Sequence, residues 1–174
     1  GARAKEKKLK EEQKEVLGSV ALLAAPTGCA SFQLKYGAST LHRIFGVPVG
    51  YCGPFTRNRR FEKFQARMRQ SRLFVMDEMS MIGRLMLGKI EFRTREVFGV
   101  KKNRNGDFAF LGGKDTVLCG DPKQIQPVGD EPLYTGGPYT KKGQNKPKGA
   151  RERPAGAWSP QEFTNAALEA RQTF

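Results

Sequence analysis

Histidine and cysteine are nearly missing from this chain of 174 residues, which holds one histidine and three cysteines. His42 alone leaves zinc sites and histidine-based triads almost no material to work with. Cys29, Cys52 and Cys119 are odd in number, widely spaced and free of any C-x-x-C pair, so they make neither a disulfide framework nor a zinc site. That usage suits a reducing, intracellular compartment. No apolar run is long enough to span a bilayer and no signal-peptide pattern follows Gly1, so no membrane partner is expected. Acid is scarce as well: 17 Asp and Glu stand against 31 Lys and Arg, a formal net charge of +14. Such an imbalance points to a polyanionic partner, nucleic acid before membrane, and says nothing about fold. The length is that of one domain with a single sizeable core.

What the chain does have is three short apolar runs, each delivering polar residues at its carboxyl end. The run from Arg72 to Met76 (R-L-F-V-M) shows no polar alternation and reads as a strand buried on both faces. Asp77 and Glu78 follow at once. Ligands bind at that edge of an open α/β sheet, where an aspartate can hold magnesium and a glutamate can orient a water for attack on a phosphoryl group. The simpler alternative is a carboxylate that caps a helix beginning near Ser80. Ser19 to Ala25 (S-V-A-L-L-A-A) reads as a second buried strand between Gly18 and Pro26. Thr27 is then an N-cap and Gly28 allows close backbone approach, so the helix start offers free amides to a phosphate. An ordinary strand-to-helix turn is the alternative there. Asp115 to Cys119 (D-T-V-L-C) is the third buried strand, and it runs into a polar loop from Gly120 to Val128. The Gln124 amide in that loop can bond a terminal phosphate oxygen and report its presence.

Between these runs lie helices. Ser39 can cap a helix with Leu41, Ile44 and Phe45 inward and Thr40, His42 and Arg43 outward. Residues 57–72 carry Arg57, Arg59, Arg60, Lys63, Arg67, Arg69 and Arg72 against the single acid Glu62. Phe61, Phe64 and Met68 recur there at helical spacing, which predicts one buried stripe and one cationic face, a surface for nucleic acid or simply for solvent. A helix from about Ile82 to Phe98 buries Ile82, Met86, Ile90 and Val97. Phe108 to Leu111 reads equally as a short edge strand or an apolar loop. Residues 1–17 form a charged helical arm and 135–157 a basic, Gly/Pro-rich loop. Ser159-Pro160-Gln161-Glu162 is a capping box that opens a last helix within 158–174.

Taken together, these motifs resemble the Pif (petite integration frequency) branch of superfamily 1 DNA helicases. A-P-T-G-C-A-S-F from Ala25 is similar to helicase motif Ia, and S-T-L-H-R-I-F-G-V-P from Ser39 resembles a segment typical of that branch. D-E-M-S-M from Asp77 looks like its Walker B motif, and G-D-P-K-Q-I-Q-P-V from Gly120 like motif III, though G-D-P-K-Q is written more like the related RecD branch. V-G-D-E-P-L-Y follows in the family style, and the ending near Trp158 to Gln172 is similar to the approach to motif IV. The resemblance implies an α/β fold, a parallel sheet flanked by helices in a RecA-like P-loop NTPase motor domain, partial over residues 18–134. It implies ATP as substrate and magnesium as cofactor, with Asp77 holding the metal through water, Glu78 activating the attacking water, and Gln124 and Arg171 sensing phosphate. Pro26, Thr27, Gly28, Thr40 and His42 would line the path of the single strand, to which Arg57, Arg59 and Arg60 add basic contacts. The implied activity is 5′ to 3′ translocation on single-stranded and forked DNA by a monomer. It carries roles in repair, recombination and telomere maintenance, and a nuclear or mitochondrial location in a eukaryote.

One element of that family is not in these residues. The P-loop, G-x-x-x-x-G-K-[ST], would stand just upstream of residues 1–17, and neither Gly88-Lys89-Ile90 nor Gly113-Lys114-Asp115 supplies it. Without it no backbone amides or lysine cradle the β- and γ-phosphates. The expectation is therefore a fragment of a first motor domain, without Walker A or the second motor domain, that does not hydrolyse ATP by itself. The alternatives are a non-catalytic single-stranded nucleic-acid-binding module derived from a helicase, and a basic scaffold protein.

Overall fold

A computed structural model describes Glu6, residues 20–99, 101, 102, 106 and 108–135. Most of the 1–17 arm, the 135–157 loop beyond Thr135, the 158–174 helix and Arg171 lie outside the described residues. Ala21–Ala25 forms β1, Gly28–Leu34 α1, Ser39–Thr40 β2, Leu41–Phe45 α2 and Arg59–Gln70 α3. Leu73–Met76 forms β3, and a single 3₁₀ turn, Met79–Met81, separates it from α4 at Arg84–Phe98. Lys101–Lys102 (β4) and Phe108–Ala109 (β5) make a small antiparallel pair, a 3₁₀ turn spans Phe110–Gly113, and Asp115–Leu118 is β6. Phe108 to Leu111 is thus divided: strand first, turn after.

The main sheet has the order β2-β1-β3-β6 and every pairing in it is parallel. The register sets Leu22 beside Phe74 and Ala24 beside Met76, so these four side chains share one face. Onto that face α2, α3 and α4 deliver Leu41, Phe45, Phe61, Phe64, Met68, Leu87, Ile90 and Val97, forming one core. Phe45 meets Phe74 edge to face with ring centroids 5.3 Å apart, a favoured quadrupole geometry. Helix α3 owes its place to this burial: each of Phe61, Phe64 and Met68 contributes about 1.5–3 kcal/mol, far more than the helix propensity of its surface residues. Asn58 starts it by accepting from the amides of Arg60 (3.0 Å) and Phe61 (3.2 Å).

Four expectations need correction. β3 is not buried on both faces: Phe74 and Met76 are buried, whereas Leu73 and Val75 are half-buried. β6 is not a buried strand, because it lies at the edge of the described sheet and leaves Val117 45% exposed. An apolar run such as Thr116 to Leu118 cannot reveal its lateral position, which is set by pairing. The second helix is capped by Thr40, the last residue of β2, whose hydroxyl accepts from Arg43 N at 3.4 Å, and Ser39 lies one residue further back in that strand. Finally, the helix expected from Ile82 starts at Arg84, because the backbone first makes the 3₁₀ turn and an extended residue at Gly83.

Candidate active site

Parallel strands all end on one edge, so the four adjacent strands deliver their polar motifs side by side. In spatial order these are Thr40 at the end of β2, Pro26 and Thr27 after β1, Asp77 and Glu78 after β3, and Gly120 to Gln124 after β6. Three strand spacings separate the first from the last, about 15 Å. Ala25 pairs with Thr40, and the Asp77 amide donates to the Ala24 carbonyl at 2.9 Å, which ties these ends together.

The first turn of α1 is built as its residues suggest. Thr27 accepts from Ala30 N at 3.2 Å through its hydroxyl, and Gly28 is exposed with nothing within 4 Å of a would-be β-carbon. Thr27, Glu78 and Gln124 line one cavity of about 310 Å³, with Cys29, Ala30, Gln33, Met81 and Ile125 completing the wall. Asp77, half-buried, sits beside the cavity at the end of β3 and is not among its lining residues. Three residues from three distant stretches are thereby brought to one space. Cys29, Gln33, Met81 and Ile125 escaped sequence reasoning, since nothing in their spacing marks them.

Glu78 has an unusual backbone. At φ 54°, ψ 49° it is left-handed, a conformation that costs a residue with a β-carbon about 1–3 kcal/mol and persists only where its surroundings enforce it. The 3₁₀ turn that follows, with Met81 N donating to the Glu78 carbonyl at 3.0 Å, turns the chain away from the strand direction. The capping alternative for Glu78 is not met, for it makes no side-chain cap bond to that turn.

The loop after β6 is closed on itself and clamped at its far end. Asp121 accepts from Lys123 N through its carboxylate (2.9 Å) and from Gln124 N through its carbonyl (3.1 Å). Downstream, the Asp130 carboxylate accepts from the amides of Leu85 and Met86, both at 3.0 Å. It caps α4 from outside, since Gly83 at the N-cap has no side chain to do so. Arg84 adds an ion pair to Glu131 at 2.7 Å, and Arg84 N donates to the Glu131 carbonyl at 2.8 Å. Thus V-G-D-E-P fastens the segment carrying Gln124 to the helix that follows Glu78.

Thr40 and His42 stand at the same edge but outside the cavity. Burial, and then the Lys89 ammonium, push the His42 pKa below its ordinary 6.5, so the ring is neutral at neutral pH. Lys89 is itself pushed down by burial and donates to the Gly50 carbonyl at 2.7 Å. Arg57, Arg59 and Arg60 are exposed at the start of α3, with Arg57 stacked over Phe61 at 5.1 Å, and they do not line the cavity either. Arg67 has left the cationic face: it is half-buried and donates to the carbonyls of Arg43 and Ile44 at the end of α2. Those carbonyls lack intrahelical partners in so short a helix.

Among the described residues no group of three or more His, Cys, Asp or Glu could hold a metal. Asp77 with Glu78 beside it fits magnesium of a different kind, an ion that arrives on phosphate oxygens, keeps most of its waters and takes one or two carboxylates.

A family model for PIF1-like helicases matches residues 4–134. The chain is similar to the ATP-dependent DNA helicase PIF1 of Saccharomyces cerevisiae (strain YJM789), 29% identical over 113 residues, or 63% of this chain and 12% of that protein. To the ATP-dependent DNA helicase PIF7 of Trypanosoma brucei brucei it is 30% identical over 118 residues, 63% of this chain and 11% of that one. A crystal structure of Pif1 helicase from Bacteroides in complex with ADP-AlF3 and ssDNA superposes with a TM-score of 0.51 at 29% identity, covering 66% of this chain and 26% of that one. Bacteroides Pif1 bound to ssDNA gives 0.50 at 31% identity, with the same coverage of each chain. The chain therefore spans about an eighth of those curated relatives and about a quarter of the solved helicases.

Proposed function

This chain belongs to the PIF1-like helicase family, and we propose that it serves as part of the first motor domain of an ATP-dependent DNA helicase. The fold is an α/β, RecA-like motor-domain fragment built on a parallel sheet. The observation that carries the reading is the cavity where Thr27, Glu78 and Gln124 meet. A carboxylate that can take a proton from water and an amide that can bond a phosphate oxygen stand on one wall system with the first turn of α1. Asp77 would hold magnesium through water, and the metal would supply charge neutralisation at the transferred phosphoryl group. Glu78 accepts the proton of the attacking water, and Gln124 bonds the terminal phosphate. Pro26, Thr27 and Gly28, with Thr40 and His42 further along the edge, lie against the single-stranded backbone. The neutral His42 ring contributes hydrogen bonding there, and charge comes from Arg57, Arg59 and Arg60. Translocation runs 5′ to 3′ on single-stranded or forked DNA, in service of repair, recombination or telomere maintenance, and the helicase acts as a monomer in the nucleus or mitochondrion of a eukaryote. No G-x-x-x-x-G-K-[ST] phosphate cradle stands within these 174 residues.

A second reading, a single-strand-binding module without catalysis, is favoured by the exposed basic residues of α3, which are placed independently of the cavity. Two assays separate the readings. Anisotropy of a labelled oligothymidylate should show binding that weakens steeply with salt, whereas no affinity at low salt would leave only a scaffold. Phosphate release by these 174 residues, with and without oligonucleotide, should not exceed background. Turnover abolished by Glu78→Gln would refute the expectation that these residues do not hydrolyse ATP by themselves while upholding Glu78 as catalytic.

A further inference from the structure

The left-handed backbone of Glu78 has an identifiable cause in the next strand. Cys119 N donates to the Met76 carbonyl at 2.9 Å, and Met79 N donates to the Cys119 carbonyl at 2.8 Å. Pairing between β3 and β6 therefore resumes across Glu78, and the residue is squeezed out of the ladder between two bonds. Gly120 comes next, with φ +139°. A β-carbon there would lie 2.7 Å from Met79 N, 3.1 Å from Met79 Cγ and 3.3 Å from the Glu78 carbonyl carbon. Two of those atoms are backbone and cannot yield without rotating the Glu78–Met79 peptide. From Gly120 the chain enters the turn that Asp121 closes on Lys123 and Gln124.

We infer that Gly120 is a positioning residue: its bare α-carbon holds the Glu78–Met79 peptide, so that the Gln124 turn and the Glu78 carboxylate move as one unit. A phosphate oxygen or a strand that displaces Gln124 then turns the carboxylate through Gly120, with no need for a ligand to touch Glu78. The inference rests on the reading of Glu78 as the water-activating carboxylate, but its structural content can be measured without nucleotide or DNA.

The test uses isotope-labelled chain and nuclear magnetic resonance. In the wild type the Glu78 α- and β-carbon shifts report a left-handed residue, and the Met79 amide exchanges slowly with solvent. In Gly120→Ala the Glu78 carbon shifts leave the left-handed range and Met79 exchange rises at least about tenfold, while β1 amides keep their protection. Gly129→Ala is the control: it has φ +71° and nothing within 4 Å of its would-be β-carbon, so it carries backbone strain without touching Glu78. Should Gly120→Ala not fold, Asp121→Ala at an exposed position loosens the same turn and must shift the Met79 amide and Glu78 carbon signals. Unchanged Glu78 and Met79 signals in the folded variants, or equal changes in Gly129→Ala, overturn the coupling. Phosphate-release results bear only on the catalytic reading.

Discussion

Alanine at Gly83 should cost this protein its external helix cap. The Gly83 backbone, φ −88° and ψ 164°, is extended and suits alanine, so any penalty is steric. A β-carbon there would fall inside the Asp130 side chain, 2.5 Å from its β-carbon and closer to its carboxylate. The carboxylate must withdraw from the Leu85 and Met86 amides, which it now meets at 3.0 Å each. Losing a side-chain cap costs about 0.5–2 kcal/mol. Losing the negative charge at the helix start adds about 0.3–1 kcal/mol, for a sum of roughly 1–3 kcal/mol. Asp130→Ala should lose the same bonds and cost the same. It also vacates the space that the added methyl group of Gly83→Ala needs, so the double variant should be no worse than either single one. Urea denaturation of all four proteins, at unchanged m-value, measures this cycle. Costs that add across the two sites, or a Gly83→Ala protein as stable as the wild type, would refute the clamp.

Arg84→Ala should destabilise by about 3 kcal/mol in the same urea assay, because it strips an ion partner from Glu131 and empties a site that is 1% exposed; a change within experimental error would show the pair is dispensable. Glu91 should make stability depend on pH in a defined direction. Burial pushes its pKa above the ordinary 4.5, more than the bonds from Arg95, the Leu111 amide and Thr94 pull it down. A raised folded pKa means the folded state holds the proton more tightly. The stabilisation is fully present below the unfolded value and is lost as pH rises through the folded one. Relative to Glu91→Gln, the wild type should therefore lose ground as pH rises across that window, and a gain would reverse the assignment. Arg59→Ala, Arg60→Ala and Lys63→Ala together should weaken oligonucleotide binding and flatten its salt dependence by about 0.7 in log–log slope for each phosphate no longer neutralised; an unchanged slope removes α3 from the interface.

Much of the site was legible because its parts are local. Asp77-Glu78 and Gly120 to Gln124 each follow an apolar run directly, and parallel pairing places every strand end on one edge. Thr27 and Asn58 announce their caps by residue type alone. The Phe61, Phe64 and Met68 stripe predicted α3 for the same reason: helical period is a property of adjacent positions. The failures were lateral. Nothing in D-T-V-L-C distinguishes an edge strand from a central one, and Thr40 rather than Ser39 caps α2 because pairing with Ala24 and Ala25 carries β2 through Thr40, so the helix starts only at Leu41.

The sequence by itself therefore determined the succession along the chain of the three longer strands and their motifs, the cationic helix and the family, since each depends on neighbours along the chain. Only the tertiary structure decided what those motifs touch. It set Glu78 in a left-handed backbone against Gly120, withdrew Arg67 from the basic face to satisfy α2, and made Asp130 the cap of a helix 45 residues earlier. Each of these is a contact between segments distant in sequence, fixed by which strands lie side by side and by the room a missing β-carbon leaves.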